Sequence, residues 1–277
     1  MPVRLWLPSL AVLLIFPTQL PAQESTQVWE RIVVIGASAS AGFGVSGISL
    51  DGEGDVPLSE LCEAMILKKH EPVTNLSDRL FFMTPGETGS DQVAKALEEK
   101  PSAVLAVDFL FWYGYGVKDD EARIKDIDAG LKLLEGFSCP VVISRLPEMS
   151  DAVGLMLSKE QVPSKESLKK LNERIDSWIR GHKNVLVIPL SEMLEAAKTG
   201  NPVKAGKSEW KRDALQSLLQ RDRLHPTLEG LGMIAGLSFE ALQKRCKIPT
   251  SVFNLDIKKA AATVAQKRPQ EDRSPRE

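Results

Sequence analysis

From residue 31 onward, short apolar runs alternate with amphipathic stretches. The runs 31-RIVVIG-36, 79-RLFFM-83, 103-AVLAVDF-109, 140-PVVIS-144 and 184-NVLVIPL-190 have the length of strands. Several are apolar at every position, the pattern of parallel strands covered on both faces. Between them, 57-PLSELCEAMILKK-69, 89-GSDQVAKALEEK-100, 119-DDEARIKDIDAGLKLLEG-136 and 165-KESLKKLNERIDSWIRG-181 read as helices. Asp119 supplies a start signal and Gly136 a stop. A last helix, 227-TLEGLGMIAGLSFEALQKR-245, follows Pro226. Strand, helix, strand in steady alternation implies right-handed crossovers and an α/β fold, a three-layer α/β/α sandwich on a parallel sheet.

Both ends depart from this pattern. Arg4, the apolar segment LWLPSLAVLLIF and the polar exit 18-TQLPAQ-23 read as a signal peptide over residues 1–22, cut near Ala22. That places the mature chain in the periplasm or outside the cell. An uncleaved anchor is the alternative, but the apolar run is interrupted by Pro8 and falls short of the roughly 20 residues a membrane span needs. Residues 23–257 form one expected domain. The segment 258-KKAAATVAQKRPQEDRSPRE-277 is charged and poor in large apolar residues, so it reads as a mobile tail, with a short frayed helix as the alternative.

Composition narrows the function classes. With 35 basic and 37 acidic residues the net charge is -2, which gives no reason to expect nucleic acid as a partner. Cys62, Cys139 and Cys246 show no CxxC spacing, which argues against a disulfide framework or a zinc site; one Cys62–Cys246 bridge is open to an exported chain. His70 and His182 sit in polar helix-end contexts and read as solvated.

Ligands of an open parallel sheet bind beyond the carboxyl ends of its strands. There the first strand runs into 36-GASASAGFG-44, whose small residues permit a tight turn presenting Ser38. Read alone, the segment could equally be a phosphate loop or a plain turn, although it lacks the Lys of a P-loop and GxGxxG spacing. Far along the chain, 222-DRLHPTLEG-230 holds Asp222 and His225 at three-residue spacing. A serine needs a base to become nucleophilic, and the base needs a carboxylate to hold its tautomer. Read alone, this segment is a surface Asp and a helix-start His.

Together, GxSxSxGxG behind a first strand and DxxHPxxxG before a last helix resemble the SGNH (GDSL-type) hydrolase family, in order over about residues 31–245. The resemblance implies a flavodoxin-like fold, with Ser38 as nucleophile, His225 as base and Asp222 as its orienting carboxylate. It also implies an oxyanion hole from the amides of Ser38 and Gly86, with Gly89 a weaker match. The family's third block, GxND, is not kept. Ungapped matching puts Phe111 and Trp112 at its Asn and Asp, and Ala37 stands where an Asp normally precedes the nucleophile. The Trp112 indole, the Tyr113 hydroxyl or an amide near Gly114 could fill the vacant donor position. Phe111, Trp112 and Tyr113, with Phe109 and Tyr115 beside them, form either a substrate wall or a packing cluster.

The implied protein is an exported serine esterase with no metal or organic cofactor and no membrane span after signal cleavage. Its substrate would be a small-molecule or carbohydrate ester, acetyl groups on carbohydrate being favoured by analogy and lipid esters remaining open. The alternative is an inactive SGNH-like carbohydrate- or cell-wall-binding module. A flavodoxin-like phosphate binder is a third reading.

Overall fold

The computed structural model describes residues 27–45, 55–211 and 214–267. The signal-like segment and the last ten residues lie outside the described residues. The chain runs β1 (Ile32–Val34), α1 (Leu58–Met65), β2 (Thr74–Asn75), α2 (Pro85–Glu98), β3 (Ala103–Leu105), α3 (Phe111–Gly114), α4 (Asp120–Leu134) and β4 (Val141–Ser144). It continues through α5 (Lys165–Ile179), β5 (Val185–Ile188), α6 (Leu190–Lys198), β6 (Val203–Ala205), β7 (Ser208–Trp210), α7 (Ala214–Leu218), α8 (Leu228–Cys246) and α9 (Ile257–Lys267).

Five parallel strands form one sheet in the order β2-β1-β3-β4-β5, the flavodoxin-like arrangement. Every residue of β1, β3 and β4 is buried, which is why their sequences are apolar without alternation. One helical layer is α1, α8 and α9; the other is α2, α4 and α5, packed side by side. Side-chain caps start α4, α5 and α8: Asp119 accepts the Ala122 N–H, Ser164 that of Ser167, and Thr227 that of Gly230. From β1 the chain goes to one side, to β2; later it returns on the other side, to β3. The crevice between the ends of β1 and β3 is therefore the switch point where ligands of such sheets sit.

Several expectations are corrected. The run 79-RLFFM-83 is not a strand. Asp78 Oδ1 accepts the Leu80 N–H at 2.7 Å and turns the chain into a 3-10 turn, Phe81–Met83. Phe81 is buried against Phe109 and Tyr113, while Phe82 and Met83 are 46% and 66% exposed. The second strand is the two-residue β2, an edge strand pairing with β1 alone. The helix expected at 89–100 begins at Pro85, a residue suited to a first helical position.

The tail is not mobile from residue 258. It forms α9 through Lys267, with Ile257, Ala260, Ala261 and Val264 buried. Its seat is made by glycines of α8: a Cβ at Gly232 or Gly236 would come within 2.9 or 2.7 Å of Ile257. The three cysteines are free thiols. His70 is not simply solvated, since its Nε2 meets Glu63 Oε2 at 2.9 Å, and His182 stacks on Trp178 at 4.1 Å.

Candidate active site

The turn after β1 is clamped on two sides. Gly36 donates its N–H to Gln92 Oε1 at 2.8 Å and accepts from Gln92 Nε2 at 2.9 Å. It has φ +148°, and a Cβ there would lie 2.1 Å from Asp108 Oδ1, so the position needs glycine. Asp108, three residues past β3, accepts the Ser40 N–H at 3.0 Å and the Ser40 hydroxyl at 2.6 Å. Burial pushes its carboxyl up, against the pull of these hydrogen bonds. Between the clamps sits Ser38, half-buried.

The histidine arrives on the loop between α7 and α8. Asp222 Oδ1 accepts the N–H groups of Leu224 and His225, each at 3.0 Å, closing a tight turn around Arg223 at φ +61°. Its Oδ2 lies 2.7 Å from His225 Nδ1, and His225 Nε2 lies 2.9 Å from Ser38 Oγ. A carboxylate accepts only, so Nδ1 carries the proton and Nε2 offers its lone pair to the serine hydroxyl. Burial alone would raise the Asp222 carboxyl; the hydrogen bond from His225 and the two amides outweigh it and hold the group below its ordinary value. His225 is buried, 4.6 Å from the Phe43 ring. Gln220 fastens the two loops together, donating to the carbonyls of Phe43 at 2.7 Å and Pro226 at 2.8 Å.

Beside this relay opens a cavity of about 70 Å³. Its wall is mostly apolar, including Trp112, Leu146, Met149, Leu194, Leu218 and Met233. The polar side-chain groups in it besides Ser38 and His225 are the Trp112 indole N–H, Asp108, bound to Ser40, and Ser144, whose hydroxyl meets the carbonyls of Val107 and Arg145 at 2.9 Å.

The structure thus brings Ser38, Asp222 and His225 together, with Phe111 and Trp112 in the cavity wall. Gly86 is outside it. It is exposed in the first turn of α2 because β2 lies a full loop earlier than expected, and a Cβ there would meet nothing within 4 Å. Gly89 serves packing, since a Cβ there would lie 2.1 Å from the Tyr113 hydroxyl. Tyr113 is likewise not in the wall; it is buried and donates to the Pro85 carbonyl at 2.8 Å. Its hydroxyl and the Gly114 N–H, bound to the Leu110 carbonyl, are both engaged. Asp108 and Gln92 escaped the sequence reading. Asp108 stood in plain view after an apolar strand, whereas nothing distinguishes Gln92 from other helix-surface glutamines.

No protein-family profile matches this chain, and no curated protein is similar to it. Solved structures resemble it at low identity. A member of the lipolytic protein G-D-S-L family from Veillonella parvula is 15% identical at a TM-score of 0.49, covering 78% of this chain and 99% of its own. An acetyl-xylooligosaccharide esterase variant from Geobacillus is 14% identical at 0.48, covering 77% and 94%. A gut microbial diltiazem-metabolizing enzyme is 14% identical at 0.45, covering 76% of this chain, which spans only 46% of that one.

Proposed function

We propose that this chain is a serine esterase. The observation that carries the reading is the unbroken relay from Ser38 Oγ to His225 Nε2, at 2.9 Å, and from Nδ1 to Asp222, at 2.7 Å. Ser38 Oγ attacks the ester carbonyl as its proton passes to His225 Nε2, and Asp222 steadies the imidazolium. The tetrahedral intermediate collapses, the alcohol leaving with that proton. Water, deprotonated by His225, then cleaves the acyl-serine and restores the hydroxyl.

The cavity supports an apolar acyl group. A sugar ring inside it would bury several hydroxyls in a wall where, besides Ser38 and His225, the Trp112 indole N–H is the one side-chain polar group not already bonded, at about 1–3 kcal/mol per unpaired group. A carbohydrate alcohol would therefore have to leave from outside the cavity. Export rests on residues 1–22 alone. The intact relay favours hydrolysis over the binding-module alternative.

A fluorophosphonate probe tests the reading. Covalent labelling of the wild type, lost in Ser38→Ala together with p-nitrophenyl ester hydrolysis, is the expected result. A folded wild type that neither labels nor hydrolyses p-nitrophenyl esters of short or long acyl chains overturns it.

A further inference from the structure

Most backbone N–H groups around Ser38 already have acceptors. The Ile35 N–H goes to the Leu105 carbonyl and Gly36 to Gln92, while the Ala37 N–H acts on the Asp108 carboxylate and helps hold its charge. Ser40 also goes to Asp108, and Ala41, Gly42 and Phe43 go to the carbonyls of Ala37, Ala39 and Ser38. Gly44 donates to Asp55 Oδ1 and Val45 to the Gly42 carbonyl. Over this stretch, among the described residues, the N–H groups of Ser38 and Ala39 meet neither a carbonyl nor a carboxylate. Backbone donors buried away from water nearly always find an acceptor, whereas these half-buried ones are left for whatever enters the cavity. These two are adjacent, at the reactive hydroxyl, and both residues line the cavity.

We propose that the Ser38 and Ala39 N–H groups together form the oxyanion hole, kept vacant because Asp108 and Gln92 hold the turn from both sides. The inference rests on Ser38 being the nucleophile. Ala39 then takes the part expected of Gly86, which is exposed and outside the cavity. Consecutive N–H groups in a turn make an anion-binding concavity without any side-chain amide. During attack the carbonyl π electrons move onto oxygen as the Ser38 Oγ–carbon bond forms, and the oxygen accepts both N–H groups. When the bond to the alcohol breaks, the charge returns and the hydrogen bonds weaken. Asp108 and Gln92 are positioning residues, since their contacts are to the turn.

The test uses the full chain, labelled with ¹⁵N, and a butyl fluorophosphonate. Formation of the Ser38 adduct is expected to move the amide protons of both Ser38 and Ala39 downfield. Replacing Ala39 by lactic acid, which exchanges only its N–H for oxygen, is expected to lower kcat about 10²-fold or more with KM little changed. An adduct that leaves the Ala39 proton where it was overturns the proposal while the esterase reading stands, as does a folded lactic-acid variant of full kcat. A folded wild type that forms no adduct removes both. If the ester-linked variant does not fold, the wild-type spectrum decides alone.

Discussion

Asp222 binds His225 twice: its Oδ2 holds Nδ1 at 2.7 Å and its Oδ1 holds the backbone N–H at 3.0 Å. One carboxylate therefore fixes both the position of the loop and the tautomer of the ring. Asp222→Asn keeps the shape but can present an amide N–H to Nδ1, which stabilises the wrong tautomer. Its kcat is expected to fall on the order of 10⁴-fold with the fold retained, measured by steady-state ester hydrolysis beside thermal unfolding.

The two carboxyls of the site have opposite pH signatures. Asp222 is held below its ordinary value of 3.8, so its stabilising contribution is complete above that pH and is lost as pH falls through the lowered folded value. The Tm difference between wild type and Asp222→Ala is expected to shrink as pH drops below about 4. Asp108 is raised above 3.8, so the folded state binds the proton more tightly than the unfolded one, and stability declines as pH climbs from the unfolded value through the folded one. Asp108→Asn removes that decline: its Tm relative to wild type is expected to rise as pH increases from about 4. A difference independent of pH would contradict the raised value.

The apolar cavity sets an acyl-length preference. In a series of p-nitrophenyl esters, kcat/KM is expected to rise from acetate to a short aliphatic chain. Leu194 on α6 is buried and lines the cavity. Leu194→Trp fills that volume and should cost the longer ester about tenfold or more while sparing acetate, as a misfitting methylene or two would. A carbohydrate acetyl ester preferred over every aliphatic ester would contradict the role given to the wall.

The features legible in the sequence were those whose chemistry shows over a few neighbouring residues. The buried strand β1, the small-residue turn at Ser38 and the Asp222–His225 turn each have a local signature. What escaped is set by distant contacts. Phe81 made 79-RLFFM-83 look like a strand, yet its burial is a loop anchor against Phe109 and Tyr113. Thr74 and Asn75 carry no strand signal, because an edge strand with one neighbour needs little of its own. Shifting that strand misplaced Gly86. The α9 segment looked mobile because residues 258–267 carry mostly small apolar side chains, while the large one that seats against glycines of α8, Ile257, stands just ahead of them.

Arg123 is 3% exposed and donates to the carbonyls of Gly114, Gly116 and Glu160. It ties the segment carrying Phe111 and Trp112 to α4. Arg123→Met leaves these carbonyls without the guanidinium and is expected to cost about 3 kcal/mol of unfolding free energy, measured by urea denaturation.

Removing residues 268–277 keeps all of α9 and serves as the reference. Removing 257–277 strips Ile257 from Gly232 and Gly236 and is expected to lower Tm by several degrees or more. Equal stability of the two truncations would contradict the packed helix.

The serine and the histidine that would activate it are 187 positions apart. During synthesis the amino-terminal strands are available for pairing long before the loop ahead of α8 has left the ribosome. Until that late arrival, the hydroxyl has no base beside it and the newborn chain is chemically inert. Reactivity would switch on only as the closing helix docks, so the onset of probe labelling during refolding would time the last step of assembly.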